Sequence, residues 1–257
     1  MTVLQQPILN LIFLSSNPIK MKKQGFYTLF LMLGFVICNA QNIYFKNLTD
    51  SIINKFNTDT NRISIKETDP LYKYKNYFNY VMCFYPKLEY QKIIISSGPS
   101  HKVANVKIKA LDAIAGSEDR VYSIKFSSKT HSLIDTVIFE HLTIDSRVAL
   151  ISIQISMVQY YSTCVFFDVI DTYFKKNSIK RSKELNKDVN LKTIEAGQGF
   201  QLMDYTNEVL DKLLEDNWKD KKAYKKHYRK NTHALMSYDE IRTYMYDYPV
   251  YLQNIYK

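Results

Sequence analysis

Glycine, proline and cysteine are scarce in this chain of 257 residues, which contains six, six and three of them. So few turn-forming residues exclude an architecture made mainly of long loops or turns. The chain has no CxxC pair, so no cysteine metal site is indicated. It also lacks GxSxG, P-loop and GxGxxG motifs, and the sequence therefore indicates neither a nucleophile elbow nor a nucleotide site.

A signal peptide is predicted near the start of the chain. A short positive segment at 21–23 precedes an uncharged, mostly apolar run at 25–37, and Cys38 and Ala40 put small side chains at −3 and −1. This is the pattern of a cleavable signal at 21–40. A membrane-spanning helix needs about 20 apolar residues, so the run is too short for a stable anchor. We expect an exported protein, periplasmic or extracellular, whose mature part starts near Gln41.

The remaining chain, residues 41–257, has the size of one domain with a substantial core. Residues 1–20 stand before a complete signal, and we interpret them as a start codon placed too early or as an extended n-region. Lys and Arg are densest at 219–230, which we interpret as a solvated helix face, because export argues against a nucleic-acid partner. Two cysteines, Cys83 and Cys164, either pair or remain buried thiols.

Hydrophobic periodicity predicts a small sheet of about three strands followed by helices. Apolar runs or alternation bounded by turn residues predict strands at 91–97, 103–110 and 121–127. Apolar or helical spacing predicts helices at 71–85, 146–167 and 198–218, and a last helix that starts at Ser237 with a capping box to Glu240. Strands first and helices after indicate an α+β domain.

The stretch 148–167 contains no charged residue, so it is either a membrane span or a buried core helix. Its polar residues recur at helical spacing and form one stripe: Ser152, Ser156, Gln159 and Thr163. Such a stripe suits a lipid-facing span poorly. We therefore expect a core helix with one polar seam, and no stable membrane span in the mature chain.

Residues 147–158 read Arg-Val-Ala-Leu-Ile-Ser-Ile-Gln-Ile-Ser-Met-Val. This stretch resembles the active-site helix of a family of exported bacterial zinc peptidases of the gluzincin type, where it runs roughly R/Q-V-G-L-I-A-H-E-L-S-H-V. Three further stretches resemble that family in the same order: Tyr85–Leu88 its "YPEL", Thr193–Leu202 its "TI..GLG.QL" and Tyr238–Ile241 its "TPEEI". The resemblance covers about residues 70–250 and implies a zincin-like fold.

The resemblance also implies that the zinc chemistry is lost. In HExxH, two histidines one helical turn apart bind zinc, and the glutamate between them takes a proton from the zinc-bound water. The corresponding residues here, called the HExxH positions below, are Ile153, Gln154 and Met157. The family's third ligand, a glutamate, and an aspartate four residues later correspond to Asn186 and Asn190, called the acid positions. The resemblance thus implies a degenerate member without catalytic residues, metal or other cofactor.

The predicted function is that of an exported non-catalytic pseudo-metallopeptidase, a binding protein for a peptide or protein partner rather than an enzyme. One alternative is an active hydrolase that uses other ligands or another metal, where Asp188 or Glu184 would supply a carboxylate but no imidazole. Another alternative is a plain envelope structural protein. The histidines form no HxxxH or HxH pair, so we interpret them as surface or loop residues: His101, His131, His141, His227 and His233.

Overall fold

The computed structural model describes residues 45–56, 62–100, 102–108, 116, 119–128, 137–214 and 236–251, all within the unit Tyr44–Lys257. The predicted signal peptide, residues 1–20 and the basic stretch 219–230 lie outside the described residues. The same holds for His101, His131, His227 and His233, whereas His141 is described and exposed.

Four short strands with alternating burial form a mixed sheet. The strands are β1 (Ile63–Ile65), β2 (Lys92–Gly98), β3 (Ala104–Ile108) and β4 (Val121–Ser127), in the spatial order β1-β2-β4-β3. β2 runs parallel to both β1 and β4, and β3 runs antiparallel to β4. Ile95 pairs with Ile65 and with Ile124, and all three are buried, so one face of the sheet forms part of the core.

Three of these strands match the predicted segments, and the predicted α+β class is confirmed. The prediction of about three strands was one short, because β1 is only three residues long and too brief to show alternation. β2 is not the buried strand that the apolar run Ile93-Ile94-Ile95 indicates. Ile94 is 40% exposed because it points to the opposite face from Ile93 and Ile95. β2 ends at Gly98, as the Gly98-Pro99 pair indicates.

Helices make up most of the remaining described chain. They are α1 (Asp50–Lys55), α2 (Lys75–Met82), α3 (Ile144–Ser162), α4 (Phe166–Asn177), α5 (Ile179–Glu195), α6 (Gly199–Leu214) and α7 (Tyr238–Met245), with short 3-10 turns at Pro70–Tyr74, Pro86–Leu88 and Phe139–His141. α3 is central, because it packs against α2, α5, α6 and β3. Within the described part, none of the helices combines the length and apolar character needed to cross a membrane.

The predicted helix 146–167 is in fact two helices, α3 and α4. Thr163 ends α3, where its hydroxyl donates to the Tyr160 carbonyl at 2.8 Å. The buried Arg120 guanidinium donates to the carbonyls of Tyr161 (3.1 Å) and Cys164 (2.7 Å), which takes up the unpaired oxygens of the helix end. Asp168 then accepts the Val165 N–H at 3.3 Å and starts α4.

Two helix ends follow the predicted local signals. Ser237 Oγ accepts from Glu240 N at 3.3 Å while the Glu240 carboxylate accepts from Ser237 N at 2.8 Å, so the predicted capping box is confirmed. Gly199 begins α6, where a Cβ atom would lie 2.8 Å from Met245 Cγ and 2.9 Å from the Tyr251 hydroxyl. The Tyr251 hydroxyl accepts from Gly199 N and donates to the Ile194 carbonyl, so α5 and α6 are joined to the C-terminal segment.

Candidate functional site

The helix α3 meets α5 through a buried chain of three hydroxyl groups, called the hydroxyl chain below. Ser156 Oγ on α3 lies 2.9 Å from Thr193 Oγ1 on α5 and 2.8 Å from the hydroxyl of Tyr85. Tyr85 also donates to the Ser152 carbonyl at 3.1 Å, and Thr193 donates to the Val189 carbonyl at 3.1 Å. Because each hydroxyl carries one hydrogen, Ser156 donates to either Tyr85 or Thr193 at any one time. Burial raises the pKa of Tyr85, so its phenol remains a proton donor. Of the predicted polar seam of α3, Ser156 makes this contact between helices, whereas Ser152 Oγ is buried without a hydrogen-bond partner and Thr163 is exposed.

The hydroxyl chain fixes where the HExxH and acid positions lie. Ile153 and Met157 precede and follow Ser156 by three residues and one residue, and Asn190 and Asn186 precede Thr193 by three and seven. At about 100° per residue, the two apolar positions lie about 60° and 100° from Ser156, on the same side of α3. Asn186 and Asn190 lie within about 60° of Thr193 on α5. All four stand within two turns of the contact between the helices.

Two of the three HExxH positions, Ile153 and Met157, pack against apolar side chains. Ile153 is half-buried and packs against both buried clusters of the protein, one built on the sheet with α2 and α3, the other on α5, α6 and α7. Met157 is 7% exposed and belongs to the first cluster, while Gln154 is half-buried. A side chain in such a setting contributes packing energy, and polar ligands there would need partners of their own.

The residues at these positions do not fit a zinc ion. Isoleucine has no lone pair, a lone thioether is a soft ligand that does not hold zinc by itself, and the amides of Gln154, Asn186 and Asn190 carry no charge. Asn190 is 3% exposed and Asn186 half-buried. Among the described residues, no group of three or more His, Cys, Asp or Glu side chains could hold a metal.

The proposed stand-in carboxylates lie elsewhere on α5. Asp188 and Glu184 are both exposed, whereas Leu185, Val189 and Ile194 of that helix are buried in the core. A shifted alignment therefore brings no carboxylate to the contact with α3.

The two described cysteines, Cys83 and Cys164, are not joined by a disulfide; the thiol alternative is correct, although Cys83 is exposed and only Cys164 is buried.

The structure contains a second polar region that was not predicted from the sequence. It is an open acidic pocket of about 530 Å³ lined by Thr143, Asp145, Asp204, Glu208, Asp211 and Lys212. Glu208 accepts from Thr143 Oγ1 at 2.7 Å and from Lys212 Nζ at 2.6 Å. Burial raises its pKa, but these hydrogen bonds outweigh burial and the pKa is lowered overall. The i,i+4 spacing of Glu208 and Lys212 is the signal that could have indicated this pair.

The carboxyl groups of Asp145 and Asp204 have raised pKa values. Asp145 accepts from Leu48 N at 3.1 Å and from Gln201 Nε2 at 3.2 Å, and burial raises its pKa despite both contacts. Burial, and then repulsion by Asp145, raises the pKa of Asp204 to about 6. Since Gln201 also donates to the Phe45 carbonyl at 2.7 Å, this region holds the first described segment against α3 and α6. Its contacts are those of a structural anchor.

Comparison with models of protein families, with curated proteins and with solved structures finds no match to this chain. Any functional conclusion therefore depends on the residues and their geometry.

Proposed function

We propose that this chain is an exported, non-catalytic relative of the HExxH zinc peptidases, which binds a peptide or protein partner without cleaving it. The observation that carries the proposal is the contact between α3 and α5, where the HExxH positions Ile153 and Met157 pack into apolar clusters. The order of the resembling stretches along the chain supports the relation. The apolar packing of Ile153 and Met157 supports the loss of zinc-dependent peptide hydrolysis.

Each lost group removes one part of peptidase chemistry. Zinc in such enzymes is held by imidazole nitrogens and a carboxylate oxygen, and Ile153, Met157 and Asn186 supply none of these. The glutamate that moves the proton is replaced by Gln154, whose amide neither accepts nor returns a proton near neutral pH. These positions therefore lack the groups of a zinc peptidase, and we propose that the chain keeps a peptide or protein partner instead.

The replacements support one another energetically. Carboxylates left in a half-buried contact without a metal would repel each other and resist desolvation. The buried Asn190 and the half-buried Asn186 are neutral and avoid that cost. The hydroxyl chain joins α3 to α5 directly. We infer that the HExxH and acid positions have become a neutral packing contact, buried at Met157 and Asn190 and half-buried at Ile153, Gln154 and Asn186.

Zinc content separates this proposal from the active-hydrolase alternative. The purified chain should contain well under one zinc ion per molecule, and a chelator should not change its melting temperature. The chain should hydrolyse no peptides, with or without the chelator. A working HExxH peptidase, taken through the same purification and chelation, is the control for loss of metal during handling. Stoichiometric zinc together with chelator-sensitive hydrolysis of peptides would favour the active hydrolase.

Retention of peptides separates the proposal from a plain envelope role. The immobilised chain is exposed to a peptide pool from a digested unrelated protein, and the bound peptides are identified by mass spectrometry. Gln154→Arg is the matched variant, because it adds charge and bulk at a half-buried position without emptying the core. We expect the unaltered chain to retain a subset that the variant loses. Equal retention by blank resin would favour the structural role.

A further inference from the structure

One face of the sheet is turned to solvent and is called the outer face below. The inner face enters the core through residues such as Ile93, Ile95 and Ile124, and the residues between them point the other way. All the outward residues of the strands are exposed or half-buried: Ser64 on β1, Lys92, Ile94 and Ser96 on β2, Asn105 and Lys107 on β3, and Val121, Ser123 and Lys125 on β4. The outer face is therefore a surface of the protein and not a second core.

The strand pairing places Ile94 near the middle of the outer face. Ile94 lies between Ser64 of β1 and Ser123 of β4, and Ser123 pairs onward with Lys107 of β3. Neighbouring strands lie about 4.8 Å apart, so the four strands span about 14 Å. Ile94 is 40% exposed, which leaves one apolar side chain in contact with water among lysine, serine and asparagine residues.

The charges of the outer face all have the same sign. None of the four strands contains an aspartate or a glutamate, and their charged residues are Lys92, Lys107 and Lys125. Arg62 and Lys66 precede and follow β1 at positions that alternation places on the same face. The Arg62 carbonyl accepts from Ile93 N at 2.9 Å, so Arg62 continues the ladder between β1 and β2. Five positive charges thus lie around Ile94.

These charges are not neutralised by ion pairs within the fold. Among the residues that the structure describes, none of the five bases forms a salt bridge. Asp69, in the turn after β1, accepts instead from Leu71 N at 2.9 Å and from Ser97 N at 2.8 Å. The outer face is therefore complementary to a surface that carries negative charge.

We propose that the outer face binds an anionic lipid surface, with the five bases beside the headgroup phosphates and Ile94 in the headgroup layer. Clusters of about four to eight Lys or Arg residues attract acidic lipids, and each base near the surface strengthens binding by about fivefold. An apolar side chain among such bases adds the burial that peripheral membrane binding uses. The inference is independent of the proposed function, because it concerns the sheet and not the contact of α3 with α5.

The residues of the outer face argue against two other polyanions. Single-stranded nucleic acid is bound on sheets whose aromatic side chains stack on the bases. The aromatic residues of β4, Tyr122 and Phe126, are 0% exposed on the inner face. An acidic polysaccharide would pair with the bases but offers no apolar layer for Ile94. A lipid surface uses both the charges and the isoleucine.

Co-sedimentation with lipid vesicles tests the outer face on the chain purified as its host processes it. Vesicles that contain phosphatidylglycerol should bind the chain at least about tenfold more tightly than vesicles of phosphatidylcholine alone. Raising the salt concentration from about 0.1 to 1 M shortens the Debye length from about 10 to 3 Å and should abolish most of the binding. Lys92→Gln and Lys107→Gln should each weaken the binding by about fivefold.

Two further variants separate the outer face from the net charge of the chain. Lys183→Gln is the matched control, because it removes the same charge from an exposed position on α5, which packs against other helices. It should weaken the binding by less than about twofold. Ile94→Ser changes no charge and should weaken the binding by about threefold. All these variants should keep the melting temperature of the unaltered chain, since the altered side chains are exposed.

Three results would overturn the proposal. The first is a chain that does not bind phosphatidylglycerol vesicles at low salt. The second is an equal loss of binding in Lys92→Gln and Lys183→Gln, which would assign the binding to net charge alone. The third is a chain that leaves the vesicles in solution but binds a single-stranded oligonucleotide or dextran sulfate through Lys92 and Lys107, which would assign the face to a soluble polyanion.

Discussion

Removing one oxygen from the hydroxyl chain tests how α3 is held against α5. Tyr85 is 1% exposed, and its hydroxyl contacts the Ser152 carbonyl and Ser156 Oγ at 3.1 and 2.8 Å. Tyr85→Phe deletes both contacts and keeps the ring in place. The Ser152 carbonyl still belongs to the helix, and Ser156 keeps its bond to Thr193. The change therefore leaves no newly orphaned buried group.

The expected cost follows from these contacts. A typical hydrogen bond contributes about 1 kcal/mol net, so Tyr85→Phe should lower the free energy of unfolding by about 1 to 2 kcal/mol. Thr193→Val removes the bonds to Ser156 and to the Val189 carbonyl and should cost a similar amount. With both changes, the buried Ser156 hydroxyl loses both partners. The double variant should then lose about 1 kcal/mol more than the sum of the single losses.

Equilibrium unfolding in urea, followed by circular dichroism, measures the four free energies of this cycle. Tyr205→Phe combined with Thr193→Val is the control, because Tyr205 is a buried tyrosine of α6 for which additive losses are expected. An additive Tyr85 and Thr193 pair, or a Tyr85→Phe chain as stable as the unaltered one, would show that the hydroxyl chain does not hold the helices together.

Three other predictions concern charge, burial and export. The pKa of Asp204, about 6 in the fold, lies above its usual value of about 3.9, so its contribution to stability falls as the pH rises from 4 to 6 and is unfavourable above 6. Asp204→Asn should therefore stabilise the protein by about 1 to 2 kcal/mol at pH 7.5, allowing for partial exposure, and by about half as much at pH 5; an equal effect at both pH values would refute this. Ile155 is 0% exposed, so Ile155→Asp should cost about 4 kcal/mol or more, and an unchanged melting temperature would contradict its place in the core. Expressed in a Gram-negative host, the protein should be found outside the cytosol with Gln41 at its N-terminus; periplasmic material that retains residues 21–40 would argue against cleavage.

Elements that depend on neighbouring residues could be predicted from the sequence. The alternation of β4 and the Ser237–Glu240 capping box each depend on neighbouring residues, and both were predicted correctly. The end of α3 was missed because one of its causes is distant: Arg120 reaches the carbonyls of Tyr161 and Cys164 from a different part of the chain. β1 was missed because its three residues are too few for a periodic pattern.

In the candidate site, too, local spacing could be predicted from the sequence, but contacts between distant segments could not. Helical spacing alone places Ile153 and Met157 on one side of α3. The partner of that side depends on the contact of Ser156 with Thr193, which no local pattern contains. The acidic pocket was missed for a similar reason, since Asp145 on α3 and Asp204 on α6 meet only after folding.

Zinc affinity of a rebuilt site is the most direct test of the relation to HExxH peptidases. A variant with Ile153→His, Met157→His and Asn186→Glu restores the three ligands, and the variant with the two histidines alone is its matched control. If the HExxH and acid positions meet at the contact of α3 with α5, calorimetry should show one zinc ion per chain. The binding should be at least about tenfold tighter than in the two-histidine variant. The unaltered chain should bind none. Equal affinity with and without Asn186→Glu, or zinc binding by the unaltered chain, would contradict the account.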